Sequence, residues 1–155
     1  MRLLHGILNT QSPAAVLLIR FTVGGVFLSE GIQKFLYPDA LGVGRFVKIG
    51  IPAPEVMAPF VGVFEIVCGG LIVLGLLTRL AAIPMIIDML VAISTTKIPI
   101  LVNDGFWSMA HEARTDYAML LGSFFLLIVG GGAWSLDAFL VRRIRSAPDV
   151  KELTN

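Results

Sequence analysis

One cysteine and two histidines in 155 residues set the first limits on chemistry. A thiol oxidoreductase working through its own dithiol relay needs a cysteine pair, so Cys68 cannot run that chemistry alone. Within a long apolar run, Cys68 reads as a small packing residue. His5 and His111 both fall outside the apolar runs, which excludes bis-histidine haem ligation inside a bilayer. Charge is scarce too: 15% of residues are Asp, Glu, Lys or Arg, and the formal net charge is +1. Basic residues spread through loops and helix ends make no nucleic-acid surface, and neither DNA nor RNA is an expected partner.

What the chain has in excess is apolar length. Hydrophobic residues make up 56% of it, and the mean hydropathy of +0.86 exceeds globular norms. A helix needs roughly 20 apolar residues to cross about 30 Å of hydrocarbon. Runs of that length cover residues 14–35, 57–77, 80–98 and 115–134, so the expected fold is an all-α membrane four-helix bundle, a single integral membrane domain over residues 1–155 in contact with the lipid bilayer. Arg20 breaks the first run and no small-residue cleavage pattern follows, so the first helix is expected to be retained.

Four spans put both termini on one side. Arg142, Arg143 and Arg145 directly after the last span, with Arg2 and Arg79, mark that side as cytoplasmic, although Arg45, Lys48, Lys97 and Arg114 fall opposite. The two longer connections, residues 36–56 and 99–114, then face outward. Leu41, Val43, Phe46, Val47 and Ile49 beside Arg45 and Lys48 suggest an interfacial or re-entrant piece, and residues 98–102 a second, together capping one mouth of the bundle. Pro38, Pro52 and Pro54 punctuate the first connection, and Asn103-Asp104-Gly105 signals a turn in the second. Tyr37, Phe106, Trp107 and Tyr117 would ring the outer interface, with Trp134 near the inner one. Ser135 is placed to cap a short C-terminal amphipathic helix ending near Arg145, with Leu136, Phe139 and Leu140 toward lipid, and the residues from Ala147 are expected to fray.

Ionisable groups interrupt every span. Each costs roughly 2.5–3.5 kcal/mol in hydrocarbon and persists only where a partner or water compensates it. At 3.6 residues per turn, Arg20, Gly24, Phe27, Gly31 and Lys34 share one face of the first helix, with Glu30 at its shoulder. Glu65 lies between Gly62 and Gly69; Asp88 shares a stripe with Ala81, Pro84, Ala92 and Thr95; Asp116 aligns with Ser123 and Gly130. By rise, Glu30 and Glu65 sit roughly 8–12 Å below the outer boundary, Asp88 is near the midplane, and Lys34, Lys97 and Asp116 are at the rim, with Arg20 deeper. The charges describe a polar cavity opening outward.

The same groups admit a structural explanation: Glu30 and Lys34, four residues apart, can neutralise each other, and Arg20 can satisfy Glu65 or Asp88 as a buried pair. A purely structural core would be cheaper if apolar, which favours a ligand. His111, Glu112, Asp116 and Asp104 match no dependable metal-ligand spacing, so no metal site is expected. Tyr37, Phe106 and Trp107 could form a slot for a quinone ring, and belt aromatics explain them equally well.

The run Arg20, Gly24, Phe27, Gly31, Lys34, then Glu65, Gly69, Gly70, Gly75, Thr78, Arg79, Ala81, Ala82, and finally Gly132, Trp134, Ser135, Asp137 resembles the DoxX family of small four-helix membrane proteins over residues 17–140. The resemblance implies an inner-membrane protein of bacteria or archaea associated with respiratory or redox complexes. Some relatives are subunits of a thiosulfate:quinone oxidoreductase, and others are anchors in oxidoreductase complexes. The leading expectation is a redox-associated subunit of the inner (cytoplasmic) membrane that binds a quinone or small oxyanion. Glu65 and Asp88 would be its catalytic proton carriers, and Arg20, Glu30, Lys34, Tyr37, Trp107 and Asp116 its ligand-binding residues. No intrinsic cofactor is expected, and quinone is the candidate ligand, with electrons passing directly between bound substrates or coming from redox partner subunits. A non-enzymatic anchor or assembly partner and a small proton-coupled transporter, the latter as a homo-oligomer, are the competing classes.

Overall fold

The computed structural model describes residues 14–146; Arg2, His5 and the tail from Ala147 lie outside them. The chain is helical in the order α1 (Val16–Leu36), α2 (Val43–Lys48), α3 (Pro54–Leu74), α4 (Thr78–Ala92), a π-helical turn (Ile93–Lys97), α5 (Ile98–Asp104), α6 (Phe106–Glu112), α7 (Arg114–Val129) and α8 (Leu136–Ser146). In hydrocarbon the backbone must satisfy its own polar groups, and long apolar helices are how one chain does so. Among the described residues three helical stretches are long and apolar enough to cross a membrane: Val16–Leu36, Pro54–Leu74 and Thr78–Asp104. Outward-facing Leu18, Phe21, Val67, Ile87 and Ile128 are exposed, as lipid-facing side chains of an integral membrane protein should be.

Two expectations need correction. The fourth crossing, placed at residues 115–134, is the 16-residue α7, about 24 Å long at 1.5 Å per residue. It stops at Gly130, whose φ of 85° and ψ of −166° leave the helical region. The connection expected at residues 99–114 is mostly helical, because Pro99 sits in the first turn of α5, where a missing N–H costs nothing. In the first connection the apolar piece is the short helix α2, with Phe46 buried and the helix packed on α3. The C-terminal amphipathic helix is found as expected, with Ser135 Oγ accepting from the Ala138 N–H at 3.1 Å.

The long helices form two antiparallel pairs, α1 along α3 and α7 along α4. The first pair is tight because of glycine. A Cβ on Gly24 would stand 2.7 Å from the Gly69 carbonyl oxygen, and one on Gly31 would stand 2.7 Å from that of Gly62. Such backbone approach is open only to small residues. The helix α3 ends in a Schellman turn at Gly75 (φ 69°), with Gly75 N–H bonding Ile72 O and Leu76 N–H bonding Leu71 O. This turn sends α4 back beside α3. We refer to this end, with the start of α1 and the end of α7, as the closed end; α2, α5 and α6 lie at the opposite, open end. Phe27, Ile72, Met85 and Leu126 fill the core between the pairs.

Gly24→Ala should destabilise the protein by about 1–3 kcal/mol through overpacking, measured by thermal unfolding in detergent. Gly25→Ala, whose Cβ would find nothing within 4 Å, should cost no stability and gain helix propensity. Equal effects would show that the α1–α3 contact is not glycine-limited.

Candidate functional site

Between the two pairs, toward the open end, lies a cavity of about 300 Å³. Glu30 and Lys34 of α1 and Glu65 of α3 line one side; Asp88 of α4, Thr95, Thr96 and Lys97 of the π turn, and Asp116 of α7 line the other. Apolar walls come from Phe27, Met57, Met89 and Met119, and Phe46 with the exposed Arg45 of α2 stands at the mouth. Caps on the mouth from the first connection were expected, and α2 supplies one.

The close approach of α1 to α3 places Lys34 Nζ 2.6 Å from Glu65 Oε2, and both side chains are largely buried. On the other pair, Lys97 Nζ lies 3.2 Å from Asp116 Oδ2. Asp88 stands within hydrogen-bonding reach of Glu65, in the electrostatic surroundings of Lys34, Asp116 and Glu30. Each lysine is thus paired within its own helix pair, whereas the carboxyl groups of Glu65 and Asp88 meet across the cleft. Among the described residues no cluster of three or more His, Cys, Asp or Glu is arranged to hold a metal ion.

The structure brings together Glu30, Lys34, Glu65, Asp88 and Asp116. It leaves three other expected ligand residues elsewhere. Arg20 lies at the closed end, where its guanidinium donates to Ile72 O (3.0 Å), Val73 O (2.5 Å), Gly131 O (3.1 Å) and Trp134 O (2.6 Å). Tyr37 lines a shallow groove on the outer face of α1 with Gly25, Ser29 and Gln33. Trp107 is 83% exposed and packs edge-on against Phe106, 5.2 Å between centroids; neither residue lines the cavity. The expected local pairing of Glu30 with Lys34 gives way to Lys34–Glu65, and Arg20 reaches neither Glu65 nor Asp88.

Sequence reasoning did not count Lys97, Thr95 and Thr96 among the site residues. The signal was present, three polar residues in succession inside an apolar helix, but their direction depends on the π turn. Thr95 Oγ1 bonds Val91 O at 2.8 Å and Thr96 Oγ1 bonds Ala92 O at 2.6 Å.

Around Arg20 the closed end is dense with polar contacts. Asp137, almost wholly buried, accepts from the backbone N–H groups of Leu77 (2.7 Å) and Thr78 (3.1 Å), capping the start of α4. Its own N–H bonds Gly75 O at 2.9 Å. Arg79 donates to Ile128 O at 3.0 Å. A Cβ on Gly75 would lie 2.6 Å from Arg20 Cζ, so the left-handed glycine also makes room for the guanidinium.

Fold and site together define a helical integral membrane protein with a charged cavity between two helix pairs. The chain belongs to the DoxX family, whose profile matches residues 15–98. It is 57% identical over 143 residues to "Uncharacterized membrane protein Rv3486" of Mycobacterium tuberculosis, with 88% of each chain covered. It is 28% identical over 137 residues to "Putative oxidoreductase CatD" of Bacillus subtilis, covering 87% of this chain and 93% of that one. No solved structure matches it.

Arg20→Met would orphan carbonyls that cost roughly 1–3 kcal/mol each when buried without a partner. It should lower the unfolding temperature sharply, and Arg20→Lys, lacking the planar fork, should rescue little of the loss. An unchanged melting profile for Arg20→Met would contradict a structural role.

Proposed function

We propose that the protein is a redox-associated membrane subunit whose cavity binds a quinone-type ring ligand. The observation that carries this reading is the convergence of Lys34–Glu65 and Asp88, from separate helix pairs, in a cavity with apolar and methionine walls. A volume of about 300 Å³ stands at the lower end of the roughly 300–1,000 Å³ usual for small-molecule sites. That suits one ring better than a ring with its full tail. Glu65 and Asp88 are the groups placed to exchange protons with such a ligand. Similarity to a Bacillus protein named as an oxidoreductase supports the redox setting. A small oxyanion finds less support, since Lys34 and Lys97 are already paired with carboxylates.

In this reading the protein sits in the inner membrane with its termini on the cytoplasmic side, on the weight of Arg142 and Arg143 after the last helix. The cavity then opens away from the cytoplasm. Electrons pass directly between bound substrates or come from a partner subunit.

A short-chain quinone or hydroquinone should raise the unfolding temperature of the purified protein, and Glu65→Gln and Lys34→Met should abolish that rise while leaving a folded protein. Variants that keep the full response would place the ligand elsewhere. Variants that cannot fold would favour the alternative in which the ion pairs only set the bundle and the protein serves as an anchor.

A further inference from the structure

The polar groups lining the cavity are unevenly spent. Its threonine hydroxyls give their protons to backbone carbonyls, Thr95 to Val91 O and Thr96 to Ala92 O. A hydroxyl bonded in this way offers only lone pairs to whatever stands in front of it. The lining ammonium groups are committed in charge, Lys34 to Glu65 at 2.6 Å and Lys97 to Asp116 at 3.2 Å. The remaining charged lining groups are the carboxylates of Glu30 and Asp88, and the guanidinium of Arg45, exposed at the mouth on α2. In formal count the lining holds four acidic side chains, Glu30, Glu65, Asp88 and Asp116, against three basic ones, Lys34, Arg45 and Lys97. The interior past Arg45 is therefore lined by acceptors and poor in uncommitted donors.

A ligand entering a buried polar site must satisfy the groups it desolvates, and an unmatched buried group weakens binding by more than a matched one strengthens it. An acceptor-lined cavity thus rewards a ligand that brings its own N–H or O–H groups. A carbonyl-only ligand meets lone pairs with lone pairs. A free oxyanion meets, beyond Arg45, two carboxylates that repel it.

Resting on the ring-ligand reading above, we propose that the cavity discriminates by hydrogen-bonding character: it takes the reduced, hydroxyl-bearing form of a ring ligand in preference to the oxidised carbonyl form, it excludes free oxyanions, and Asp88 is the residue that reads the donor. Asp88 suits this role by position. It projects from α4 toward Glu65 and Lys34 of the opposite pair, so a hydroxyl bonded to it spans the cleft. Thr95 and Thr96, one and two turns further along, extend the acceptor surface toward the mouth.

The test uses the full chain in detergent under anaerobic conditions, titrated with a short-chain hydroquinone, the corresponding quinone, and sodium thiosulfate. Affinities come from calorimetry and, independently, from the shift in unfolding temperature. The hydroquinone should bind about tenfold or more tighter than the quinone, the difference expected of one charge-assisted hydrogen bond, and thiosulfate should produce no shift. Asp88→Asn, whose amide both donates and accepts, should bring the two ring forms within about threefold of each other. Thr95→Val, which removes a lining acceptor without touching charge, should weaken the hydroquinone more than the quinone and serves if Asp88→Asn does not fold. Equal or tighter binding of the quinone by the unmodified protein would overturn this inference and leave the ring-ligand reading standing, as would a thiosulfate shift that survives Arg45→Ala. Failure of both ring forms to bind would overturn the ring-ligand reading itself.

Discussion

The protein depends on one guanidinium. Arg20 sits in the first membrane-spanning helix, 2% exposed, and directs its fork at carbonyls of two other segments, Ile72 and Val73 at the end of α3 and Gly131 and Trp134 after α7. The last carbonyls of a helix have no partner within it, and the irregular chain after α7 has none either. In lipid both needs are acute, and one planar cation with five donors answers them together. Asp137 does the same work with opposite sign, accepting from the first N–H groups of α4. Much of the sequence pattern shared with the DoxX family, from Gly75, Thr78 and Arg79 to Gly132, Trp134, Ser135 and Asp137, lies in this region. Its contribution is to the joint between the helix pairs.

Fixing the closed end leaves the open end free to diverge. Each pair is held along its length, the first by glycine contact and both by an internal ion pair, Lys34–Glu65 and Lys97–Asp116. Among the described residues neither ion pair crosses the cleft. Ion pairs in low dielectric cost several kcal/mol in desolvation unless closely matched, and placing each within a rigid pair keeps it matched whatever the separation of the pairs. The cleft can then change width without leaving a buried charge unpaired.

Much of this was legible in the sequence, and where it was not the reasons are geometric. Helical face and depth together assembled Glu30, Lys34, Glu65, Asp88 and Asp116 correctly. Arg20 shares the face of Lys34 but lies some four turns away, about 21 Å at 1.5 Å per residue, so the face alone misleads. Tyr37 and Trp107 were aromatic near an expected mouth, and composition cannot say toward which side of a helix an aromatic turns. Pro99 and Asn103-Asp104-Gly105 suggested a loop because both break helices, yet proline is tolerated in a first turn, and Gly105 at φ 85° separates two helices rather than replacing them. The glycines did speak plainly: Gly24, Gly31, Gly62 and Gly69 lie where the backbones touch.

The π turn at Ile93–Lys97 acts as an inserted residue within an otherwise regular helix. With α-helical periodicity Lys97 would stand roughly a third of a turn away from the inward stripe of Thr78, Ala81, Met85 and Ala92. The wider turn brings it round to Asp116, and Lys97 is buried. All that follows is rotated with it, so α5 shows none of its residues to the core and displays Ile98, Leu101 and Val102 outward. One extra residue therefore divides a continuous 27-residue helical stretch into two parts that answer to different surroundings, an inner rod keyed to the bundle and an outer blade keyed to whatever medium lies beyond it. In lineage terms, insertion or loss of a single codon between Ala92 and Ile98 would change the charge on one face and the wetting of another in a single step.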